Sequence, residues 1–199
     1  SNNGKEIVFS AITDGVSDLF IYNLDSDSLI RLTESLQYEA DPHFSPDGQK
    51  ILFSIEDTCG TATHPNSPYG STPSELAILD LPTGNISIIT NTKWNEKQPC
   101  FSPDGKSIVY VSDRNGLDNL YICSIDSTEK SRPLTDFVGG CSNPDWALDS
   151  SCIVFSLFQN QGWDVLLIEN PENKLLKDSL LTTQWVKSWS DSSALFFNK

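Results

Sequence analysis

The sequence has no methionine, two histidines, and 13 lysines and arginines against 27 aspartates and glutamates. Each scarcity excludes something. A net charge of −14 with no basic cluster repels phosphate backbones, so nucleic-acid binding is not expected. The same field favours solubility and draws cationic partners weakly. No apolar run approaches the roughly 20 residues needed to span a bilayer, so no membrane insertion is expected. The missing methionine, including at position 1, points to a chain that was processed or cut from something longer.

Catalytic signals are equally thin. No G-x-S-x-G nucleophile elbow, Gly-rich phosphate loop or EF-hand spacing occurs. There is no C-x-x-C pair to suggest zinc or redox chemistry. The five cysteines are odd in number. Cys100, Cys123 and Cys152 sit in apolar strand patterns and behave there as small hydrophobes. Cys59 and Cys141 fall in polar segments and would pair only if the fold joins those loops. His43, in "DPHFS", falls on an expected inner strand from which it could face a central channel, and a lone channel histidine is more often packed or solvated than catalytic. The expectation is therefore no catalytic residue, no metal and no cofactor.

What is present is repetition. "FSPDGQKILFS" (44–54) returns as "FSPDGKSIVYV" (101–111). Weaker turns begin at Ser1, Ala147 and Ser190, giving start-to-start spacings of 44, 57, 45 and 43 residues. An aromatic precedes each internal turn (Phe44, Phe101, Trp146, Trp189), and a proline lies two residues before three of these aromatics (Pro42, Pro99, Pro144). An apolar-Thr pair recurs at Leu32-Thr33, Ile89-Thr90, Leu134-Thr135 and Leu181-Thr182.

Each unit reads as four short antiparallel strands. In the third, 98–102 is strand A, Ser-Pro-Asp-Gly a tight turn, 106–112 strand B, 119–125 strand C and 132–135 strand D. A four-stranded unit of this length is a propeller blade, with strand A innermost and the aromatics wedged between blades. The fold class is all-β: a β-propeller of four-stranded antiparallel blades, about four blades plus a partial fifth, part of a larger ring. The frame divides into unit 1 (1–44), unit 2 (45–101), unit 3 (102–146), unit 4 (147–189) and the start of unit 5 (190–199). The last two elements are expected as strand A over 184–190 and strand B over 193–198. In unit 4 the turn loses its proline and glycine, so a looser corner is expected there. An open array would leave blade edges unpaired and prone to association.

The string P-x-[FW]-S-P-D-G, followed by an apolar strand, "SDRNG" and "LY", resembles the WD40-like PD40 repeat of TolB-type six-bladed propellers. The resemblance is strongest from Pro42 to Ser54 and from Pro99 to Tyr121. It implies a non-enzymatic, periplasmic or extracellular scaffold that binds a protein or peptide. The same repeat also occurs in propellers of S9/prolyl-oligopeptidase-type peptidases, which makes a substrate-gating piece of a larger enzyme the alternative, and in sugar-lyase relatives. A metal-dependent lyase would need several ligands converging on the axis, and two histidines argue against it. Fold alone does not choose between these.

The irregular stretch is the insertion 57–73, between strands B and C of unit 2. Strands B–C and D–A join on one face, and long loops on rigid scaffolds often carry binding. The candidate contacts on that face are His64, Tyr69, Arg114 and Asn115.

Overall fold

The computed structural model describes residues 1–56, 73–174, 176, 180–184, 186 and 187. These residues form fourteen strands in four antiparallel sheets. Blade one is β1 (Glu6–Thr13), β2 (Val16–Asn23) and β3 (Ser28–Arg31). Blade two is β4 (Tyr38–Phe44), β5 (Lys50–Glu56), β6 (Glu75–Asp80) and β7 (Asn85–Ile88). Blade three is β8 (Glu96–Phe101), β9 (Ser107–Ser112), β10 (Asn119–Ser124) and β11 (Arg132–Pro133). Blade four is β12 (Cys141–Trp146), β13 (Cys152–Gln159) and β14 (Gly162–Glu169).

Blades two and three are complete. Among the described residues, blade one lacks an inner strand and blade four an outer one, so no closed ring is formed. The sheets are offset by one strand from the sequence frame, because the strand ending each unit pairs with the first strand of the next. The segment expected as an inner strand over 184–190 differs. Gln184, Val186 and Lys187 lie in a helical turn, with the Lys187 N–H donating to the Thr183 carbonyl at 3.1 Å. The rest of 184–199, Trp189 included, falls outside the described residues.

The core sits between sheets, and the twofold periodicity of a strand explains how. Along β5, Ile51, Phe53 and Ile55 pack toward blade one, while Leu52 packs toward blade three. Along β9, Ile108 and Tyr110 face blade two, and Val109 and Val111 face blade four. A sheet buried on both faces needs an unbroken apolar run, which is why both repeats continue as "ILFSI" and "SIVYV". Phe44, Phe101 and Trp146 are buried, one in each of the three interblade clusters, as the wedge reading requires.

The repeated corner is held by its own polar groups. The Gly48 N–H donates to the Ser45 carbonyl at 2.9 Å, and the Ser45 hydroxyl donates to Asp47 at 2.6 Å. Asp47 also accepts the Gln49 N–H at 3.0 Å. Ser102, Asp104 and Gly105 repeat these bonds. The corner of unit 4 keeps the backbone bond, the Ser150 N–H donating to the Ala147 carbonyl at 2.8 Å with Ser150 at φ +63°, but Ala147 has no hydroxyl to repeat the side-chain bonds of Ser45 and Ser102. Glycine at this position matters because φ is +71° at Gly48, where an added methyl would meet no neighbour. Gly48→Ala should therefore cost about 1 kcal/mol by backbone strain alone. Ser150→Gly should shift stability the other way, and urea unfolding of the two variants checks the pair.

Candidate functional site

The inner strands β4, β8 and β12 lie side by side and share one irregularity. Each carries a bulge, between Ala40 and His43, Lys97 and Cys100, and Ser142 and Asp145. The bulged residues Asp41, Gln98 and Asn143 adopt φ of +54°, +51° and +51°. Asp41 and Asn143 have short polar side chains that tolerate this conformation, and the three bulges are linked across the blades. Asp41 Oδ2 accepts the Gln98 N–H at 3.2 Å, and Gln98 Oε1 accepts the Asn143 N–H at 2.8 Å. A bulge also re-aims the side chains just beyond it.

The side chains re-aimed in this way are those of His43, Cys100 and Asp145, one residue before each wedge aromatic. His43 Nε2 is 3.5 Å from Cys100 Sγ, and Cys100 Sγ is 3.7 Å from Asp145 Oδ1. One donor atom from each lies within 4.8 Å of the others. His43 Nδ1 accepts the Phe101 N–H over a long 3.4 Å. The Cys100 thiol is 1% exposed and donates to the Phe101 carbonyl at 3.3 Å. Burial pushes that thiol up to about 12 and lowers His43 below the ordinary imidazole range. An unaided thiolate nucleophile is thereby disfavoured.

A second polar layer lies at the other end of the inner strands. The recurring threonines stand where the outermost strands give out. Thr33, Thr90 and Thr135 accept the N–H of Leu19, Leu76 and Leu120 at 2.9, 2.7 and 2.9 Å. Each then donates its own hydroxyl: Thr33 to Glu39, Thr90 to Glu75 at 2.6 Å, and Thr135 to Asn119 Oδ1 at 2.9 Å. The apolar-Thr column is thus a buried substitute for missing ladder bonds. Burial pushes both Glu75 and Glu96 up to about 7, with nearby hydroxyl, N–H and Arg114 contacts pulling them back.

Arg114 belongs to this layer. Its guanidinium donates to both Glu96 oxygens at 2.8 and 3.1 Å and to the Tyr110 hydroxyl at 2.8 Å. It also lies 4.3 Å from the centre of the Tyr121 ring. The Arg114 side chain is 25% exposed and the Glu96 side chain 0%. Asn115 is 3% exposed and accepts the Thr183 N–H on its carbonyl at 2.9 Å. Both residues therefore point into the blade. His64, Tyr69 and Cys59 lie outside the described residues. The B–C and D–A loops do meet on one face, where Asp113 accepts the Asn95 N–H at 3.0 Å and its side-chain N–H at 2.8 Å.

Cys141 differs from its expected polar setting. It opens β12, is buried, and lies 3.5 Å from Thr135 Oγ1. Cys100, Cys123, Cys141 and Cys152 are all free thiols. Sequence reasoning singles out His43 but not Cys100 or Asp145. The signal is present in the stacked repeats, in the column just before Phe44, Phe101 and Trp146.

No family model matches the chain. Over 156 residues it is 30% identical to the Tol-Pal system protein TolB of Francisella tularensis subsp. mediasiatica (strain FSC147), covering 78% of this chain and 33% of that protein. Over 123 residues it is 30% identical to the uncharacterized peptidase YuxL of Bacillus subtilis (strain 168), covering 61% of this chain and 18% of that one. The chain thus spans a third or less of the length of these curated relatives. The crystal structure of TolB from Acinetobacter baumannii superposes with a TM-score of 0.68 at 18% identity, over 88% of this chain and 40% of that one. Four antiparallel sheets, inner strands side by side, and this likeness in both sequence and structure give the chain a TolB-like, propeller-type all-β fold.

Proposed function

We propose that the chain is a non-enzymatic, TolB-like scaffold that captures a protein or peptide partner on the face where the B–C and D–A loops emerge. The observation that carries this reading is the likeness to TolB across 78% of the chain. The cross-tied Asn95 and Asp113 support it by making that face a rigid platform. His64 and Tyr69 of the insertion are the contact residues of this reading. Arg114 and Asn115 act as positioning residues, holding the turn 113–116. The net charge of −14 favours a partner with a basic or neutral contact surface. A periplasmic or extracellular location goes with this role. Among the described residues no helix is long and apolar enough to cross a membrane.

The test is a calorimetric titration with the soluble domain of a peptidoglycan-associated lipoprotein. Saturable binding is expected, weakened about tenfold or more by combined His64→Ala and Tyr69→Ala, a loss of about 1.4 kcal/mol. Binding that ignores both substitutions would overturn the loop-face assignment. An absence of saturable binding would overturn the partner class. The second reading is the substrate-gating propeller of a larger peptidase, and the likeness to YuxL over 61% of the chain favours it. Under that reading the chain would bind an α/β-hydrolase domain instead.

A further inference from the structure

We infer that His43, Cys100 and Asp145 form a binding site for one thiophilic divalent transition metal, with Zn²⁺ the best fit, clamping the inner strands of three successive blades. The donor set is the first argument. One imidazole, one thiol and one carboxylate meet at a single register position of β4, β8 and β12. Imidazole and thiolate suit zinc and disfavour magnesium or calcium, which take oxygen ligands.

Distance is the second argument. A tetrahedral zinc with bonds of about 2.3 Å to sulfur and about 2.0 Å to nitrogen or oxygen holds its ligands about 3.5 Å apart. His43 Nε2 and Cys100 Sγ are 3.5 Å apart, and Cys100 Sγ and Asp145 Oδ1 are 3.7 Å apart. The His43 and Asp145 donor atoms lie within 4.8 Å of each other, so bringing all three onto one ion takes side-chain shifts of at most about 1.5 Å. Asp145 is exposed, so the fourth position faces solvent and takes water.

The site is also held in place. The bulges that aim the three donors are cross-linked by the Asp41–Gln98–Asn143 ladder. Metal binding carries a defined proton balance. The Cys100 thiol releases its proton to solvent, and the imidazole proton moves from Nε2 to Nδ1. That move gives up the Phe101 N–H contact to Nδ1, which is long at 3.4 Å. The bond lost is small beside a metal–thiolate and a metal–imidazole bond.

The proposal is independent of partner binding and is read without it. The reduced protein is titrated with Co²⁺. A thiolate-to-cobalt charge-transfer band and tetrahedral visible bands should saturate at one equivalent, and Zn²⁺ should bleach them. Asp145→Asn and His43→Gln should each weaken Co²⁺ binding by at least the roughly 10- to 100-fold seen when an outer-shell partner is lost. Cys100→Ser, checked for folding by circular dichroism, should abolish the charge-transfer band. Cys59→Ser, Cys123→Ser and Cys141→Ser should retain it. A band that survives Cys100→Ser, ignores both His43→Gln and Asp145→Asn, or fails to appear at one equivalent would overturn the site.

Discussion

Above about pH 8, where Glu96 is ionised, Arg114→Met should destabilise the protein by about 3–5 kcal/mol, the range for removing one partner of a buried ion pair. The substitution leaves the Glu96 carboxylate, 0% exposed, without its cation. It also removes the donor to Tyr110, which burial pushes well above the ordinary phenol range and so keeps as a neutral hydroxyl. Methionine preserves much of the side-chain volume, so lost packing over Tyr121 contributes little. The double variant Glu96→Gln/Arg114→Met should recover a substantial part of the loss, because it removes the stranded charge as well. Urea unfolding followed by tryptophan fluorescence reads the cycle. A loss below about 1 kcal/mol in the single variant would mean that Arg114 behaves as a surface residue. Lys5→Ala supplies that reference. Its pair with Asp25 is short, at 2.7 Å, but lies more than half exposed on both sides, so its loss should be nearly silent.

Stability should fall as pH rises from about 4.5 to about 7. Glu75 and Glu96 ordinarily titrate at 4.5 and are pushed up to about 7, chiefly by burial. In that interval the folded protein holds protons that the unfolded chain has released. The stability these groups provide is therefore complete below the unfolded value and is lost as pH rises through the folded one. A shift from 4.5 to about 7 is worth at most on the order of 3 kcal/mol per carboxyl. The two groups sit near the same arginine and repel each other, so their joint effect is less than twice that. The corner aspartates act in a different window. Asp47 and Asp104 are held below the ordinary carboxylate value by Ser45 and Ser102, and their small contribution is lost as pH falls. The two windows together place a stability maximum at about pH 4 to 5. Denaturant midpoints taken across this range should decline on the neutral side, and Glu75→Gln should flatten the decline. A midpoint that rises toward neutrality would contradict the assignment.

Both results depend on where residues of ordinary local character end up. "SDRNG" reads as a good turn, and its arginine reads as a loop residue available to a partner. Nothing local says that the guanidinium folds back under the turn. That outcome depends on Glu96, eighteen residues earlier at the start of β8, being buried within reach of the guanidinium. The insertion 57–73 was legible as an irregular loop and, by its length, as a candidate for binding. The helical turn holding Gln184, Val186 and Lys187 overrode a strand expectation in the chain's weakest copy of the repeat, where proline and glycine no longer mark the corner.

By itself the sequence determined the repeating unit, its strand order, the corner chemistry of Ser45–Gly48 and Ser102–Gly105, and the aromatic wedges. These arise from twofold periodicity, proline's fixed φ and glycine's left-handed freedom, all of which act within a few residues. Tertiary structure alone decided that His43, Cys100 and Asp145 meet, that Cys141 is buried, and that Arg114 faces inward. The positions that meet stand 57 and 45 residues apart. Only the stacking of one twisted sheet on the next, driven by burial on both faces, sets how closely their side chains approach.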